Sequence, residues 1–556
     1  MAGELHGRQL RVARVCLWVG CSASRSLGEV SGRAFETVDT VRAAEVVAAA
    51  CLATDLGMGF PFEHGLHATL MAMRLADVLE VDRETASQTY FCSLLMYSGC
   101  TTDADVLLGI IGGSATESGA STVFGSPLQA LTGIARAVPS PDAPPHRRAY
   151  EVVTRLPKFV SIARPHTRAV CEVATMLAKR LGLPRSIHDL FTVLTERWDG
   201  YGILRRARGQ QIPLALRIVH VARDAAYQRV VGGDAHAAAI IRQRAGHAFD
   251  PVVAGTFARN AATIMAAVGT SGSAWEATLA AEPRPWLVLQ GDAIDGALAA
   301  IGDFADLIAP SLAGHSSGVA RLAATAAARC SFSRSDTALV RRAGLVHDVG
   351  RVAVHPRVWQ KPGPLTADEW EQVRLHAYHT ERILDHAPFL AALGRVACAH
   401  HERLDGSGYH REATAVSLTP IARLLATVDA FSAMVEPRPH RSALSAEEAA
   451  EILSQDARAG RQDPDLVAGV LDAAGQTAPR VARPAGLTER EAEVVGLLAR
   501  GLQTKQVARR LGISPKTADT HIQNAYRKMG VSTRAAATLY AMEHGLVFSG
   551  ELPISG

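Results

Sequence analysis

Residues 343–351, with the sequence AGLVHDVGR, place an imidazole beside a carboxylate, His347 and Asp348, within an apolar run. The run predicts a buried helix, and burying unpaired polar groups costs on the order of several kcal/mol. A divalent metal ion would account for the pair, because imidazole and carboxylate both ligate borderline ions and a carboxylate can bridge two of them. This short stretch therefore predicts a helical module built around a metal site.

Further candidate ligands follow in a fixed order along the chain. His315 lies upstream of the pair, and His376, the adjacent His400 and His401, and Asp429 lie downstream. One buried histidine alone is more often a satisfied core residue than a ligand. The ordered set is different, since it offers five imidazoles and two carboxylates without a cysteine. Two ions that share Asp348 would use all of them.

The chain also contains an internal repeat. Residues 196–202 (ERWDGYG) return as residues 402–408 (ERLDGSG), and residues 212–224 (IPLALRIVHVARD) as residues 418–429 (LTPIARLLATVD). A third echo pairs FDP at residues 249–251 with QDP at residues 462–464. Matching landmarks in one order indicate two copies of one module.

Hydrophobic periodicity predicts an all-α fold. Apolar residues recur at helical spacing in residues 67–79, 318–328 and 367–384, and strand-like alternation is scarce. Breakers fall at residues 138–145, 269–272 and 473–486. We expect a disordered tail (1–36), a first module (37–272), a second module with the candidate ligands (285–475), a linker (476–485) and a C-terminal domain (486–556).

Composition restricts the class of protein. Of the 556 residues, 48% are hydrophobic and the net charge is 58 − 54 = +4, which suits several cores and excludes a chain-wide polyanion binder. No apolar stretch reaches the roughly 18 residues of a transmembrane helix. The eight cysteines form no CxxC pair, as is typical of reduced thiols. The sequence therefore predicts a cytoplasmic protein that does not contact membranes.

The ligand order H…HD…H…HH…D, with residues 361–366 (KPGPLT) and 438–441 (RPHR), resembles the HD-GYP branch of the HD-domain phosphohydrolases over roughly residues 298–473. The resemblance implies a phosphodiesterase with two iron or manganese ions that cleaves cyclic di-GMP or a related cyclic dinucleotide. It implies one ion held by His315, His347, Asp348 and Asp429, and another held by Asp348, His376, His400 and His401. The implied catalytic residues are His347, Asp348 and Arg351, and the implied substrate-binding residues are Arg351, Gly408, Tyr409 and Arg438.

Three positions depart from that family pattern. Arg351 replaces a lysine, His410 replaces the proline of GYP, and Ser311 replaces a glutamate that some members use for a third metal. A dinuclear site is therefore favoured. Two alternatives stay open: a module that senses a nucleotide with little turnover, and hydrolysis of another phosphate ester.

The first copy lacks most of the candidate ligands. When the two copies are aligned on the repeat, Met96-Tyr97 corresponds to the His-Asp pair and Leu194-Thr195 to the His-His pair. Arg223 corresponds to Asp429, and Cys171 corresponds roughly to His376. Only His64 or His67 preserves a histidine. The first copy is therefore interpreted as a structural or sensory module.

The C-terminal domain is the basic part of the chain. Residues 480–556 contain 11 Lys and Arg against 6 Asp and Glu, a balance of +5. Thr488 and Glu491 predict a capping box, residues 504–511 a second helix, and Ser514 the cap of a third helix that runs to about Lys528. Two helices around a Gly512-Ile513 turn predict a helix-turn-helix.

Residues 486–547 resemble the LuxR-type (NarL/FixJ-like) DNA-binding domain, with LTEREAEVV, GLQTKQVARRLGIS and KTADTHIQNAYRKMGV matching its pattern. The resemblance implies binding to double-stranded DNA as a homodimer. The residues expected at base edges are Asp519, Thr520 and Gln523. Those expected at phosphates are Thr504, Lys505, Ser514, Lys516, Thr517, Arg527 and Lys528.

Overall fold

The computed structural model describes residues 40–99, 143–268, 272–476, 484–499 and 501–543, with isolated positions between them. The expected tail at residues 1–36 and most of the expected linker lie outside the described residues. No helix in these ranges combines the length and the hydrophobicity that crossing a bilayer requires.

Within the described ranges, the structure is helical apart from one small sheet, which confirms the all-α prediction. The first copy contains α1 Ala43–Gly57, α2 His64–Val78, α3 Arg83–Leu94, α4 Pro145–Arg180, α5 Arg185–Phe191, α6 Leu214–Arg244, α7 Pro251–Arg259, α8 Ala261–Ala266 and α9 Ala274–Ala280. The second contains α10 Asp292–Asp306, α11 His315–Arg329, α12 Arg334–Val346, α13 Pro356–Trp359, α14 Ala367–Arg374, α15 His376–Leu384, α16 Pro388–Ala397, α17 Pro420–Val435, α18 Ala446–Arg458 and α19 Pro464–Ala473. The C-terminal domain contains α20 Glu489–Ala499, α21 Thr504–Arg510, α22 Pro515–Met529 and α23 Arg534–Glu543. Four 3₁₀ turns lie at Gly209–Gln211, Pro310–Leu312, Val349–Ala353 and Pro484–Gly486.

The segment 367–384 is helical, as its periodicity predicts, and is divided at Leu375 into α14 and α15. One sequence-based helix prediction was wrong in detail. The His347-Asp348 pair does not lie inside a helix: α12 ends at Val346, and the 3₁₀ turn Val349–Ala353 follows. The apolar run is buried as expected, but the chain turns at the pair and so aims both side chains into the module.

Equivalent contacts occur in both copies of the repeat. The buried carboxylate of Asp55 accepts hydrogen bonds from the Gly65 amide at 3.0 and 3.1 Å. Asp306 accepts one from the Ser316 amide at 2.9 Å, across the same ten-residue separation. Each contact fixes the start of the following helix, α2 or α11. The shared geometry supports the interpretation of the chain as a duplicated module.

One hydrophobic core is shared between the two copies, and each copy also has a core made of its own residues among those described. The alanine-rich helix α1 is almost entirely buried, and it packs against both the turn Val349–Ala353 and α15 of the second copy. Strand β1 (Thr40–Arg42), just before α1, pairs antiparallel with β2 (Val288–Gln290), just before α10, with Val41 opposite Leu289. The first copy thus forms the packed support behind the His-Asp turn of the second.

Candidate metal centre

The seven predicted metal ligands converge in one buried cluster of the second copy. His315, His347, Asp348 and Asp429 form one group, and His376, His400 and His401 form another; in each, the potential ligand atoms lie within 4.8 Å of one another. The Nε2 atoms of His376 and His400 each lie 3.3 Å from Oδ1 of Asp348. The other oxygen of Asp348 lies 2.9 Å from Nε2 of His347. Asp348 therefore sits between the two groups, as a bridging carboxylate would.

Helix ends position most of these side chains. His315 and His376 begin α11 and α15, while the His-Asp and His-His pairs follow the ends of α12 and α16. The hydroxyl of Thr380 joins two of these elements, because it donates to the His347 carbonyl at 2.9 Å and accepts from the Gly350 amide at 3.0 Å. The His-Asp turn and α15 are thereby held together.

The ring orientations suit metal binding. Nδ1 of His347 lies 2.8 Å from the Gly344 carbonyl, and Nδ1 of His400 lies 2.6 Å from the Ala397 carbonyl. His376 makes the same contact with Val373. Because a carbonyl can only accept, Nδ1 carries a proton in each ring, which leaves Nε2 as the atom that would bind a metal ion.

The electrostatics of the cluster favour a positive charge between the carboxylates. Burial opposes ionisation of Asp348, but Arg351 and His347 hold the pKa of its carboxyl well below the usual range. Burial would lower the pKa of His347, yet the charge of Asp348 raises it to about 9. Both oxygens of Asp348 and Nε2 of His347 make ion-pair contacts but no well-aligned hydrogen bond in the described part of the chain. Buried polar atoms of this kind call for a partner, and a divalent cation fits their geometry and charge.

Two arginines border the cluster with unused donors. Nη1 of Arg351 lies 2.6 Å from Oδ2 of Asp348, and its Nε has no hydrogen-bond partner among the described residues. Nη1 of Arg438 is likewise buried and unpartnered within the described part. Burial, and after it the positive charge of Arg351, lowers the pKa of Arg438. Buried donors beside a candidate metal pair suit the oxygens of a phosphate group.

The loop predicted to contact substrate lies at the same place. The Tyr409 ring stacks on the His401 ring with centroids 4.6 Å apart, and the indole of Trp370 packs edge-on against it at 5.9 Å. Gly408 allows a close approach of backbones, since a Cβ there would stand 2.4 Å from the amide nitrogen of Arg403. Tyr409 therefore lines the cluster, whereas the structure gives Gly408 a packing role.

Sequence analysis missed two carboxylates that support the centre. Asp306 fixes the start of α11 and therefore the position of His315. Glu436 contacts the His315 ring directly, with Oε2 at 2.9 Å from Nδ1. The sequence feature that could have identified Glu436 is its position seven residues after Asp429, because two helical turns bring both side chains to the same side of a helix.

The first copy has a different arrangement at the corresponding place. A Cβ on Gly99 would clash with the Val170 carbonyl at 2.2 Å, just as one on Gly350 would clash with the His376 carbonyl at 2.1 Å. Val170 is therefore the counterpart of His376, and the expectation of Cys171 was wrong by one residue, because no motif fixes the register of α4.

Among the described residues of the first copy, no group of potential metal ligands comes together. His64 begins α2 as His315 begins α11, so His64 rather than His67 preserves the first histidine. The guanidinium of Arg223 lies over the Tyr97 ring at 4.1 Å, in the places of Asp429 and Asp348. A fixed cation on an aromatic ring disfavours a metal ion there.

The C-terminal domain has the predicted caps and turn. The Thr488 hydroxyl accepts from the Glu491 amide at 3.3 Å while the Glu491 carboxylate accepts from the Thr488 amide at 2.7 Å. Ser514 caps α22. The residues predicted to contact DNA are exposed except Thr504, which is half-buried. Lys528 departs from the expectation of a free phosphate ligand, since its ammonium lies 2.6 Å from the Glu491 carboxylate.

Comparisons with protein families match two parts of the chain. Residues 301–466 match the HD domain, and residues 485–541 match the luxR family of bacterial regulatory proteins. These ranges enclose the metal cluster and the helix-turn-helix.

Individual relatives extend the likeness beyond these ranges. The chain is 26% identical to the 3'3'-cGAMP-specific phosphodiesterase 3 of Vibrio cholerae over 422 residues, which cover 75% of this chain and 92% of the relative. It is 36% identical over 112 residues to the cyclic di-GMP phosphodiesterase of Thermotoga maritima, covering 20% of this chain and 30% of that protein. The crystal structure of the Vibrio cholerae cyclic GMP-AMP-specific phosphodiesterase V-cGAP3 superposes with a TM-score of 0.55 at 23% identity, covering 78% of this chain and 98% of that chain. This last likeness shows a shared fold.

Proposed function

The chain carries an HD domain and a LuxR-family DNA-binding domain, and from this combination we propose that it is a metal-dependent cyclic dinucleotide phosphodiesterase coupled to a transcriptional regulator. The observation that carries the proposal is the buried convergence of five imidazoles and two carboxylates, with Asp348 between two groups of potential ligands. Two ions bound there would lower the pKa of a shared water and neutralise charge on a phosphoryl oxygen.

The residues around the cluster fit a phosphate diester. Arg351 and Arg438 offer buried donors on one side, and a planar guanidinium can donate two parallel hydrogen bonds to one phosphate. Tyr409 and the half-exposed Trp370 offer aromatic surface on which a base can stack. These groups would orient the scissile phosphate towards the metal ligands and hold one nucleoside beside it.

The finer assignments belong to the same proposal. The ions are iron or manganese, His347, Asp348 and Arg351 act in catalysis, and the substrate is cyclic di-GMP, 3'3'-cGAMP or another phosphate ester. The relatives, named for the first two nucleotides, support that substrate class. We further propose that the protein acts in the cytoplasm, where it binds double-stranded DNA as a homodimer through the exposed face of α21 and α22.

The direct test is hydrolysis by protein loaded with Mn²⁺ or Fe²⁺, with the linear dinucleotide quantified by chromatography. Asp348→Ala should bind neither ion firmly and lose turnover, because Asp348 contacts both groups of ligands. Asp368→Asn changes an exposed carboxylate on α14 and should behave as the unaltered protein. Equal turnover by Asp348→Ala would assign the activity to a contaminant, and no turnover of any cyclic dinucleotide by the loaded protein would reject the enzyme proposal.

A second candidate function is nucleotide sensing with little turnover. The observation that favours it is the ion pair of Arg351 with Asp348, at a position where the resembled enzymes carry a lysine. The two candidates differ in what the nucleotide does to DNA binding. A sensor should change its operator affinity when an uncleaved dinucleotide is added. In either case, DNA affinity should fall steeply with salt, because the C-terminal contacts are to phosphates.

A further inference from the structure

His315 is oriented differently from the other candidate ligands of the centre. His347, His376 and His400 each direct Nδ1 at a backbone carbonyl three residues earlier. His315 is the first residue of α11 and follows Gly314, whose φ of 81° lies in the left-handed region. The 3₁₀ turn Pro310–Leu312 ends before Gly314, and Nδ1 of His315 contacts a side chain where the other three rings contact a carbonyl. Another group must fix the ring.

Glu436 occupies that place. Its Oε2 lies 2.9 Å and its Oε1 3.1 Å from Nδ1 of His315, across 121 residues of sequence. Nε2 of the same ring points the other way, at 3.2 Å from Oδ1 of Asp429 and 3.4 Å from Oδ2 of Asp348. Glu436 therefore lies behind the ring, on the side away from the two carboxylates of the cluster.

The segment that carries Glu436 is itself fixed. Glu436 follows the last residue of α17, and the guanidinium of Arg441 donates to the carbonyls of Met434 at 3.1 Å and Glu436 at 3.3 Å. The Glu436 carboxylate also accepts from Nη2 of Arg438 at 3.0 Å. One carboxylate thus joins a candidate metal ligand to an arginine that borders the same space.

We propose that Glu436 is a positioning residue, which holds His315 with Nε2 unprotonated towards the metal and holds Arg438 beside the substrate phosphate. The proposal rests on the function proposed above. A carboxylate that accepts from the distal nitrogen of a ligating histidine fixes its tautomer and raises its basicity, and losing it typically weakens metal affinity about 10–100-fold. Because Glu436 contacts one ligand ring of the first group, the ion held by that group should be the one affected.

The main test measures metal affinity, by competition with a chelator, together with Mn²⁺ ions per chain. Glu436→Ala should bind one of two ions about 10–100-fold more weakly and keep the affinity of the other. Glu436→Gln retains an oxygen that can accept from Nδ1 and should lie between Glu436→Ala and the unaltered protein. Glu447→Gln, which alters an exposed carboxylate at the start of α18, is the matched control and should bind both ions normally.

A kinetic test separates positioning from direct catalysis. Excess Mn²⁺ should restore most of the kcat of Glu436→Ala, since its defect is in affinity for the ion. Arg438→Gln should instead show a raised KM that excess Mn²⁺ does not correct. If Glu436→Ala and Glu436→Gln bind two ions as tightly as the unaltered protein, Glu436 has no positioning role and only pairs with Arg438. If the unaltered protein binds no ions, the proposed function fails, and the positioning role fails with it.

Discussion

The absence of a Cβ atom at Gly350 lets two elements of the metal centre approach each other closely. Gly350 lies where the His-Asp turn meets α15, and a Cβ there would stand 2.1 Å from the His376 carbonyl and 2.4 Å from the Thr380 amide. Both groups are backbone, so neither can rotate away. Any side chain at residue 350 would therefore separate Asp348 from His376, the contact on which sharing of the carboxylate depends.

We accordingly expect Gly350→Ala to lose metal as well as stability. Overpacking costs about 1–3 kcal/mol, and here the strain falls on the joint between the two ligand groups. Metal analysis and urea denaturation of the full chain would measure the two effects. Gly318→Ala is the matched control: it lies on α11, a Cβ there meets nothing within 4 Å, and helix propensity favours alanine by up to about 1 kcal/mol. A Gly350→Ala protein with two ions and unchanged stability would contradict this account.

At the scale of elements, side-chain caps at helix ends fix where several helices of the chain begin. Capping boxes at Thr366/Glu369 and Ser445/Glu448 begin α14 and α18, as the one at Thr488/Glu491 precedes α20. Glu491 does more than cap, because Lys528 near the end of α22 pairs with the same carboxylate. The first helix of the DNA-binding domain is thereby tied to its recognition helix. Lys528 therefore serves the fold of this domain.

Glu491→Gln should destabilise the C-terminal domain by about 1 kcal/mol or less at neutral pH, because glutamine keeps the cap acceptor but loses the ion pair with Lys528. Burial raises the pKa of Glu491, but Lys528 and the Thr488 amide lower it below the usual range overall. A depressed pKa stabilises the folded state above the unfolded pKa of about 4.3, and this contribution is lost as the pH falls through the folded value. The deficit of the variant should therefore be full at pH 7 and shrink progressively as the pH falls below the unfolded pKa. Glu493→Gln, on the exposed face, serves as the control, and a deficit independent of pH would exclude the charge pair as its cause.

At the scale of the whole molecule, the hydrophobic cores indicate which parts of the chain should unfold together. One core mixes residues of the two copies, from Val41 to Ala397, whereas the two cores of the C-terminal domain contain only its own residues among those described. The joint between the copies includes Trp275, which stacks on His386 at 4.9 Å and is 2% exposed. The two copies should therefore unfold together, and the DNA-binding domain separately.

Calorimetry of the full chain should show two transitions. Trp275→Ala should lower the larger one, since burying such a ring contributes about 3–5 kcal/mol, and leave the smaller unchanged. Glu491→Gln should lower only the smaller one. Trp286→Ala, at a half-exposed indole, is the matched control for loss of a tryptophan. Three transitions, with the two copies melting apart, would contradict a shared core.

The helical class, the HD and LuxR-type domains and the order of the candidate ligands could all be predicted from the amino-acid sequence. Hydrophobic periodicity, helix caps and motif spacing are local properties, so they can be recognised in the linear sequence. It also identified Arg223 and Tyr97 as replacements for ligands in the first copy, because the repeat supplied an internal alignment.

The contacts among those residues follow from the three-dimensional structure. It ended α12 before His347, placed Val170 rather than Cys171 opposite Gly99, and set Glu436 behind His315. It also packs the two copies together around α1 and contains a short strand pair, which no alternating hydrophobic pattern in the sequence predicted. These features depend on contacts between residues 70 to 250 positions apart, and such contacts are fixed by the close packing of whole elements, not by the local pattern of any one of them.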